Sequence, residues 1–194
     1  MAKKMDMTKL DRIREASVEI ISEHGILNSS VASIAERAGV SVGYLYRHYP
    51  GKVDLINDLL EDALRTITDR IYALADETND IRKIVRGIVE FIIESAATNR
   101  PKHKFLIMLL NDFSVEINPD IRERIRSIGD TLIAVGRKNN VLRDDTSVED
   151  LYIALVGIPM QYLASRYKFG FGDETGDQRG LIEKITAISL SAIQ

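Results

Sequence analysis

The chain has 194 residues, with Lys+Arg 26 against Asp+Glu 29, and 45% of its residues are hydrophobic. This is an ordinary globular composition, and the length suits one large domain or two small ones. The absence of cysteine excludes disulfide scaffolds and cysteine-containing zinc sites, and only three histidines are present. Because no apolar run approaches the roughly 20 residues of a membrane span, we expect a soluble, cytoplasmic protein with no membrane contact. We also expect no metal and no cofactor.

Charge is distributed unevenly along the chain. Residues 1–52 contain eight Lys or Arg and six Asp or Glu, whereas the remainder contains 18 basic and 23 acidic residues. A basic N-terminal segment followed by an acidic remainder indicates that the N-terminal segment binds a polyanion.

Apolar residues recur at helical spacing in almost every segment, and no alternating run bounded by turn residues favours a strand. The sequence therefore predicts an all-α fold of about nine helices. One face of helix 1 is lined by Leu10, Ile13, Ser17, Ile20 and His24. Helix 2 begins after 28–30 and ends at Gly39, helix 3 is capped by Ser41, and helix 4 covers about 52–77.

Later helix starts are marked by short polar residues and proline. Asn79 or Asp80 opens helix 5, Asn118 followed by proline opens helix 7, and Thr146-x-x-Glu149 has the spacing of a capping box for helix 8. A glycine-containing loop at 170–177 precedes the last helix.

The spacing of Ala35, Gly39 and Leu45 is typical of a helix-turn-helix. Ala35 is small enough for a close helix crossing, Gly39 tolerates positive φ in the turn, and Leu45 can fill the crook between the helices. Such a unit places its second helix in the major groove of DNA. The alternative is an αα-hairpin in a helical bundle with no DNA role.

The outward side of helix 3 favours the DNA-binding interpretation. Tyr44, Arg47 and His48 face solvent if Leu45 and Tyr49 are buried. Two large aromatics and two basic groups on one short helix are suited to phosphate and base contacts.

The region from Thr8 to about Asp62 resembles the N-terminal domain of TetR (tetracycline repressor-like) transcriptional regulators. The resemblance is carried by the pattern Ile34-Ala35-x-x-Ala38-Gly39-Val40-Ser41-x-Gly43-x-Leu45-Tyr46-x-His48-Tyr49-x-x-Lys52. It implies a DNA-binding domain at 1–52 and a helical ligand-binding and dimerisation domain at 53–194. Helix 4 would connect the two.

The resemblance also implies which residues contact DNA. Base edges would be reached by Val42, Gly43 and Tyr44, and phosphates by Ser29, Ser30, Ser41, Tyr46, His48 and Lys52. Arg47 would contact a phosphate, with a guanine as the alternative. Val42 and Tyr44 depart from the residues common in the family, so no operator sequence can be transferred.

Helix 8 is almost wholly apolar between Leu151 and Met160, and a helix that is apolar on all sides must be buried on all sides. With the last helix it suits a homodimer interface, while the alternative is a core helix of a monomer. The predicted interface residues are Leu155, Ile158, Tyr162, Ile185, Ile188 and Ala192.

Pro159 would break the hydrogen-bond ladder of helix 8 and could border a cavity. A ligand pocket needs apolar walls with a few polar groups, although plain core residues have the same character. The candidate pocket residues are Phe91, Glu94, His103, Phe105, Met108, Asn111, Phe113, Met160, Gln161 and Tyr162.

No nucleotide-binding, hydrolase or metalloprotease motif is present, so no catalytic residue and no enzymatic activity are predicted. We expect a homodimeric repressor that binds a palindromic double-stranded DNA operator and is released by an unknown small-molecule inducer. The alternative is a helical DNA-binding or adaptor protein that is controlled by a protein partner, without a small-molecule ligand.

Overall fold

The computed structural model describes residues 8–113, 115–171 and 177–194, and within these ranges every regular element is helical. The predicted all-α fold is thereby confirmed. The elements are α1 (Lys9–Asn28), α2 (Val31–Ala38), α3 (Val42–His48), α4 (Lys52–Glu77), α5 (Ile81–Thr98), α6 (Arg100–Leu110), α7 (Pro119–Lys138), α8 (Val148–Tyr152), a π-helical turn (Ile153–Gly157), α9 (Ile158–Phe169) and α10 (Gln178–Ser191). Residues 172–176 of the predicted loop lie outside the described ranges.

The predicted helix 8 corresponds to three segments that follow one another without a non-helical residue. Tyr152, Ile153, Gly157 and Ile158 all have right-handed helical dihedrals, so α8, the π-helical turn and α9 form one rod. The described residues thus contain nine helices, of which α1 is kinked at Gly25, where φ 82 and ψ 165 are not helical. Pro159 lies just after the wide turn, where its missing N–H removes a hydrogen bond from the ladder.

Side-chain caps explain where most helices begin. Ser30, Ser41 and Asp80 each accept a hydrogen bond from a backbone N–H of the first turn that would otherwise lack a partner. The capping box predicted at Thr146 is displaced by one residue. Ser147 accepts from the N–H of Asp150, and the Asp150 carboxylate accepts from the N–H of Ser147 at 2.8 Å. Thr146 is instead buried.

The structure divides into two compact units, and within the described residues the first comprises 8–62 and 100–117. In unit 1, α1 packs against α2 and α6, and α2 packs against α3. Its core includes Ile13, Ile21, Ile34 and Leu45, each fully buried. This small apolar cluster holds the three N-terminal helices together.

Unit 2 comprises residues 63–99 and 118–194 within the described ranges. Its central element is α5, which packs against α7, α9, α10 and the π-helical turn. Ile84, Val85, Ile88 and Val89 of α5 are fully buried, as expected for a helix surrounded by others.

These units differ from the division predicted at residue 52. The first turns of α4 belong to unit 1, and α6 belongs to unit 1 although it follows α5 in the chain. The functional roles assigned to the two domains stay predictions.

Candidate nucleic-acid interface

The connection between α2 and α3 is a three-residue turn. Gly39 ends α2 in the left-handed region, with φ 64 and ψ 40, which residues with a Cβ seldom adopt. The N–H of Val40 donates to the carbonyl of Ala35 at 3.0 Å, which closes the turn. Ser41 then caps α3 by accepting a hydrogen bond from the N–H of Tyr44 at 3.2 Å. The geometry is that of a helix-turn-helix.

Leu45 anchors α3 to the rest of unit 1. Its side chain is 0% exposed, and Ile34, Ala35 and Ala38 of α2 are buried as well. Because only one of the seven residues of α3 is buried, the helix presents most of its surface to solvent. The predicted roles of Gly39 in the turn and Leu45 in the crook agree with these positions.

The outward surface of α3 is apolar, aromatic and basic. Val42 is 39% exposed and Tyr46 51% exposed, and Arg47 and His48 are also exposed. The sequence of α3 contains no acidic residue. Such a surface combines cationic donors for phosphates with apolar groups for base edges.

Tyr44 is the centre of a cluster on this surface. Its ring centroid lies 4.8 Å from that of His48, and the Arg47 guanidinium carbon lies 5.3 Å from it. Lys9, at the start of α1, places its ammonium 5.1 Å from the same centroid. These are cation–π distances. Tyr44 therefore holds three groups that can be positively charged on one side of the unit, and the contact with Lys9 was not foreseen from the sequence.

The three serines predicted to contact phosphates have different surroundings. Ser30 and Ser41 are exposed N-caps, so their hydroxyls lie at helix N-termini, where anions are favoured. Ser29 is 4% exposed and donates its hydroxyl proton to the carbonyl of Ile26 at 2.7 Å. A phosphate contact by Ser29 would require that bond to be given up.

Lys52 opens α4 and is turned toward the end of α1. Its ammonium donates to the carbonyl of Ile26 at 2.6 Å and to that of Ser29 at 2.9 Å. Both carbonyls belong to the last turn of α1 and its cap. Since an ammonium has three donors, one remains for a phosphate oxygen.

Unit 2 contains a small apolar cavity of about 40 Å³. Its wall is formed by α4, α7, α8 and the π-helical turn, and the polar side chains in it are Thr68 and Tyr152. Thr68 is already hydrogen bonded, accepting from Arg124 at 2.8 Å and donating to the carbonyl of Arg65 at 3.0 Å. Burial raises the pKa of the Tyr152 hydroxyl.

The predicted pocket residues are not gathered around this cavity, and none of the ten lines it. Half of them belong to unit 1 and half to unit 2. Phe113 and Glu94 are exposed, whereas Phe105 and Met160 are core residues. Gln161 and Tyr162 lie beside an open groove between α9 and α10. The sequence shows which residues are apolar, but core and cavity linings share that property.

The predicted dimer interface is divided by the structure. Leu155 and Ile185 are 3% and 0% exposed, so they are core residues of unit 2 and offer no surface to a partner. Ile188 is 41% exposed, and Ile158, Tyr162 and Ala192 are half-buried. Helix 8 was expected to be buried on all sides, but Ile153 is 46% exposed. An apolar face therefore remains uncovered along the π-helical turn, α9 and α10.

No helix in the described ranges has both the length and the apolar character needed to cross a membrane. No cluster of His, Asp and Glu residues suitable for a metal ion occurs in that part of the chain.

The tight turn, the buried leucine and the exposed second helix define a helix-turn-helix protein. Residues 13–59 match the family model described as bacterial regulatory proteins of the tetR family. This stretch is similar to the N-terminal domain of that family, and solved structures described as TetR-family regulators share the fold over nearly the whole chain.

The chain is also similar to individual proteins, in sequence over about half its length and in fold over nearly all of it. The nucleoid occlusion factor SlmA of Vibrio cholerae is 28% identical over 100 residues, which cover 51% of this chain and 51% of that protein. The chain spans about half the length of the curated relatives it matches. The fatty acid degradation regulator FadR from Bacillus halodurans has a similar fold, with a TM-score of 0.77 at 20% identity, covering 96% of this chain and 97% of that one. FadR from Bacillus subtilis, solved in complex with stearoyl-CoA, gives 0.70 at 18% identity, covering 94% and 98%.

Proposed function

We propose that this protein is a homodimeric, sequence-specific DNA-binding transcriptional regulator. The observation that carries the proposal is the surface of α3, where Tyr44 gathers Lys9, Arg47 and His48 beside the exposed Val42. The cations would bind phosphates, and Val42 would contact a thymine methyl group in the major groove.

Dimerisation would use the apolar face that includes Ile153, Ile158 and Ile188. Two recognition helices are needed to bind half-sites about 34 Å apart, one helical turn of DNA. Ile188→Lys, which buries a charge in that interface, should convert the dimer to a monomer in light scattering. Thr131→Lys, at an exposed position of α7, is the control and should stay dimeric.

The first experiment is selection of duplexes from a random pool by the purified protein at two salt concentrations. We expect a palindrome of two half-sites, with affinity that falls as salt rises because bound counterions are released. Arg47→Met should lower affinity for all duplexes and reduce the salt dependence. Lys83→Met, an exposed lysine of α5, removes the same charge in unit 2 and should change neither.

We propose further that the regulator is a repressor released by an apolar ligand in the cavity of unit 2. At about 40 Å³ the cavity is far smaller than the roughly 300–1,000 Å³ of ligand sites, so α4 and α7 would have to separate. Because α4 also begins in unit 1, its displacement would reach the DNA-binding helices. The coupling would need a few kcal/mol of differential affinity.

Acyl-CoA compounds are the first probes, because the cavity wall is apolar and the FadR protein from Bacillus subtilis was solved with stearoyl-CoA. Binding should raise the melting temperature and weaken the DNA complex. Ile125→Trp, which fills the cavity from α7, should abolish both effects. Ile133→Trp, on the same helix but not in the lining, is the control and should retain them.

The second candidate is DNA binding controlled by a protein partner, without a small-molecule ligand. The small size of the cavity favours it, as does the similarity to a nucleoid occlusion factor. In that case the selected duplex would be bound as before, but no acyl-CoA would raise the melting temperature or release the DNA.

A further inference from the structure

Three helices of unit 1 meet at one carboxylate oxygen that the proposed DNA contacts do not use. Asp58, in the second turn of α4, accepts two hydrogen bonds on the same Oδ2 atom. The Arg14 guanidinium of α1 donates at 2.8 Å, and the hydroxyl of Tyr49, the C-cap of α3, donates at 2.9 Å. Asp58 is 44 residues from Arg14 in the chain, so only the folded unit forms this junction.

The three groups form a connected polar network rather than isolated contacts. The side chains of Arg14 and Asp58 are 37% and 38% exposed, and Tyr49 is half-buried. The Tyr49 hydroxyl and the Asp58 carboxylate both raise the pKa of Arg14, and burial raises that of Tyr49. Arg14 therefore stays protonated and Tyr49 stays a hydrogen-bond donor at neutral pH, so both bonds persist.

The junction lies at the C-terminal end of α3. Its first residues are fixed by the Gly39 turn and the Ser41 cap, and its middle by the buried Leu45. Tyr49, whose N–H donates to the carbonyl of Leu45 at 2.9 Å, joins the end of the helix to Asp58.

We propose that Asp58 is a positioning residue for operator recognition, which sets the angle of α3 by holding Tyr49 against α1 and α4. This inference rests on the proposed DNA-binding function. Base readout requires several donors to meet base edges at once, whereas phosphate contacts tolerate a tilt. Loss of the junction should therefore reduce the preference for the selected duplex over a random duplex, with a smaller effect on non-specific binding.

The test measures that preference, as a ratio of dissociation constants, for a set of full-length variants well below their melting temperatures. Tyr49→Phe removes only the hydroxyl, and Asp58→Ala removes the whole junction. Asp54→Asn removes a negative charge from the exposed first turn of α4 and is the control for charge. One hydrogen bond is worth roughly threefold to tenfold in an equilibrium constant, and one to a charged group more.

We expect Tyr49→Phe to lower the preference about threefold and Asp58→Ala about tenfold. These are lower values than a fully buried bond to a charged group would give, because Asp58 and Tyr49 are both partly exposed. The preference of the double variant should equal that of Asp58→Ala alone. Once Asp58 is removed, the Tyr49 hydroxyl has already lost this bond, so the two effects are not additive. Asp54→Asn should strengthen binding to both duplexes equally and leave the preference unchanged.

Three results would overturn the proposal. If the variants melt at lower temperature but keep the wild-type preference, Asp58 is structural only. If the two single effects multiply in the double variant, Tyr49 does not act through Asp58. If the unmodified protein selects no duplex, the proposed DNA-binding function itself is refuted. If the variants keep the preference of the unmodified protein, only the role of Asp58 is refuted.

Discussion

Lys52 has two proposed roles, a phosphate contact and a structural contact with the end of α1, and Lys52→Met tests both. The resemblance implies a phosphate contact, whereas the structure shows two hydrogen bonds, at 2.6 Å to the carbonyl of Ile26 and at 2.9 Å to that of Ser29. Methionine keeps the length and apolar stem of the side chain but has no donor. The variant therefore removes both bonds and the charge without a large change in volume.

The size of the effect follows from the number and kind of bonds. Hydrogen bonds to charged groups contribute about 1.5–3 kcal/mol each when buried. Lys52 is only half-buried, and Ile26 keeps the bond from the Ser29 hydroxyl. We therefore expect a loss of about 2 kcal/mol in the free energy of unfolding for the two bonds together, which is less than two fully buried bonds would contribute. This corresponds to a fall of roughly 4–8 °C in melting temperature for a protein of this size.

The assay combines unfolding of the free protein with DNA titration over a range of salt. The third donor of the ammonium is available for a phosphate, so the slope of log K against log salt should become shallower by about 0.9 per subunit. Lys83→Met should affect neither stability nor slope. A stability loss below about 0.5 kcal/mol, the range of neutral surface substitutions, would refute the structural role, and an unchanged slope would refute the phosphate contact.

Three further substitutions test other parts of the structure. Leu45→Ala empties the fully buried site under α3 and should cost about 2–5 kcal/mol in chemical unfolding, whereas Leu45→Met should cost less than about 1.5 kcal/mol; equal costs would show that the site is loosely packed. Gly39→Ala places a side chain on a residue with φ +64, where the nearest neighbouring atom is an ordinary contact at 3.6 Å. The expected loss of about 1–2 kcal/mol in the free energy of unfolding therefore comes from the backbone conformation, and Gly39→Asn should recover part of it in the same measurement. Burial lowers the pKa of His103 to about 4, while the unfolded chain binds that proton near 6.5; stability should therefore be complete above pH 6.5 and fall by about 3 kcal/mol as the pH drops to about 4. His103→Gln should lose much of this pH dependence in melting curves and His24→Gln, at an exposed position, should not, whereas equal behaviour of the two would contradict the assignment.

Much of the architecture could be predicted from short-range patterns in the sequence. The caps at Ser30, Ser41 and Asp80 act on N–H groups two or three residues away, and the φ of Gly39 is a property of the turn in which it lies. Helical periodicity and the spacing from Ala35 to Leu45 predicted the all-α fold and the helix-turn-helix for the same reason. Each of these features depends on residues that lie only a few positions apart in the chain.

The remaining features depend on residues that are distant in sequence. Lys52 reaches carbonyls 23 and 26 residues away, and Asp58 meets Arg14 across 44 residues. Sequence spacing cannot show that Leu155 and Ile185 face the core while Ile153 and Ile188 face solvent, because all four are apolar residues on apolar helices. The position of the cavity depends on how α4, α7 and α8 pack. Local hydrogen bonding and hydrophobic periodicity therefore determine the helices, whereas only tertiary packing decides which side chains meet.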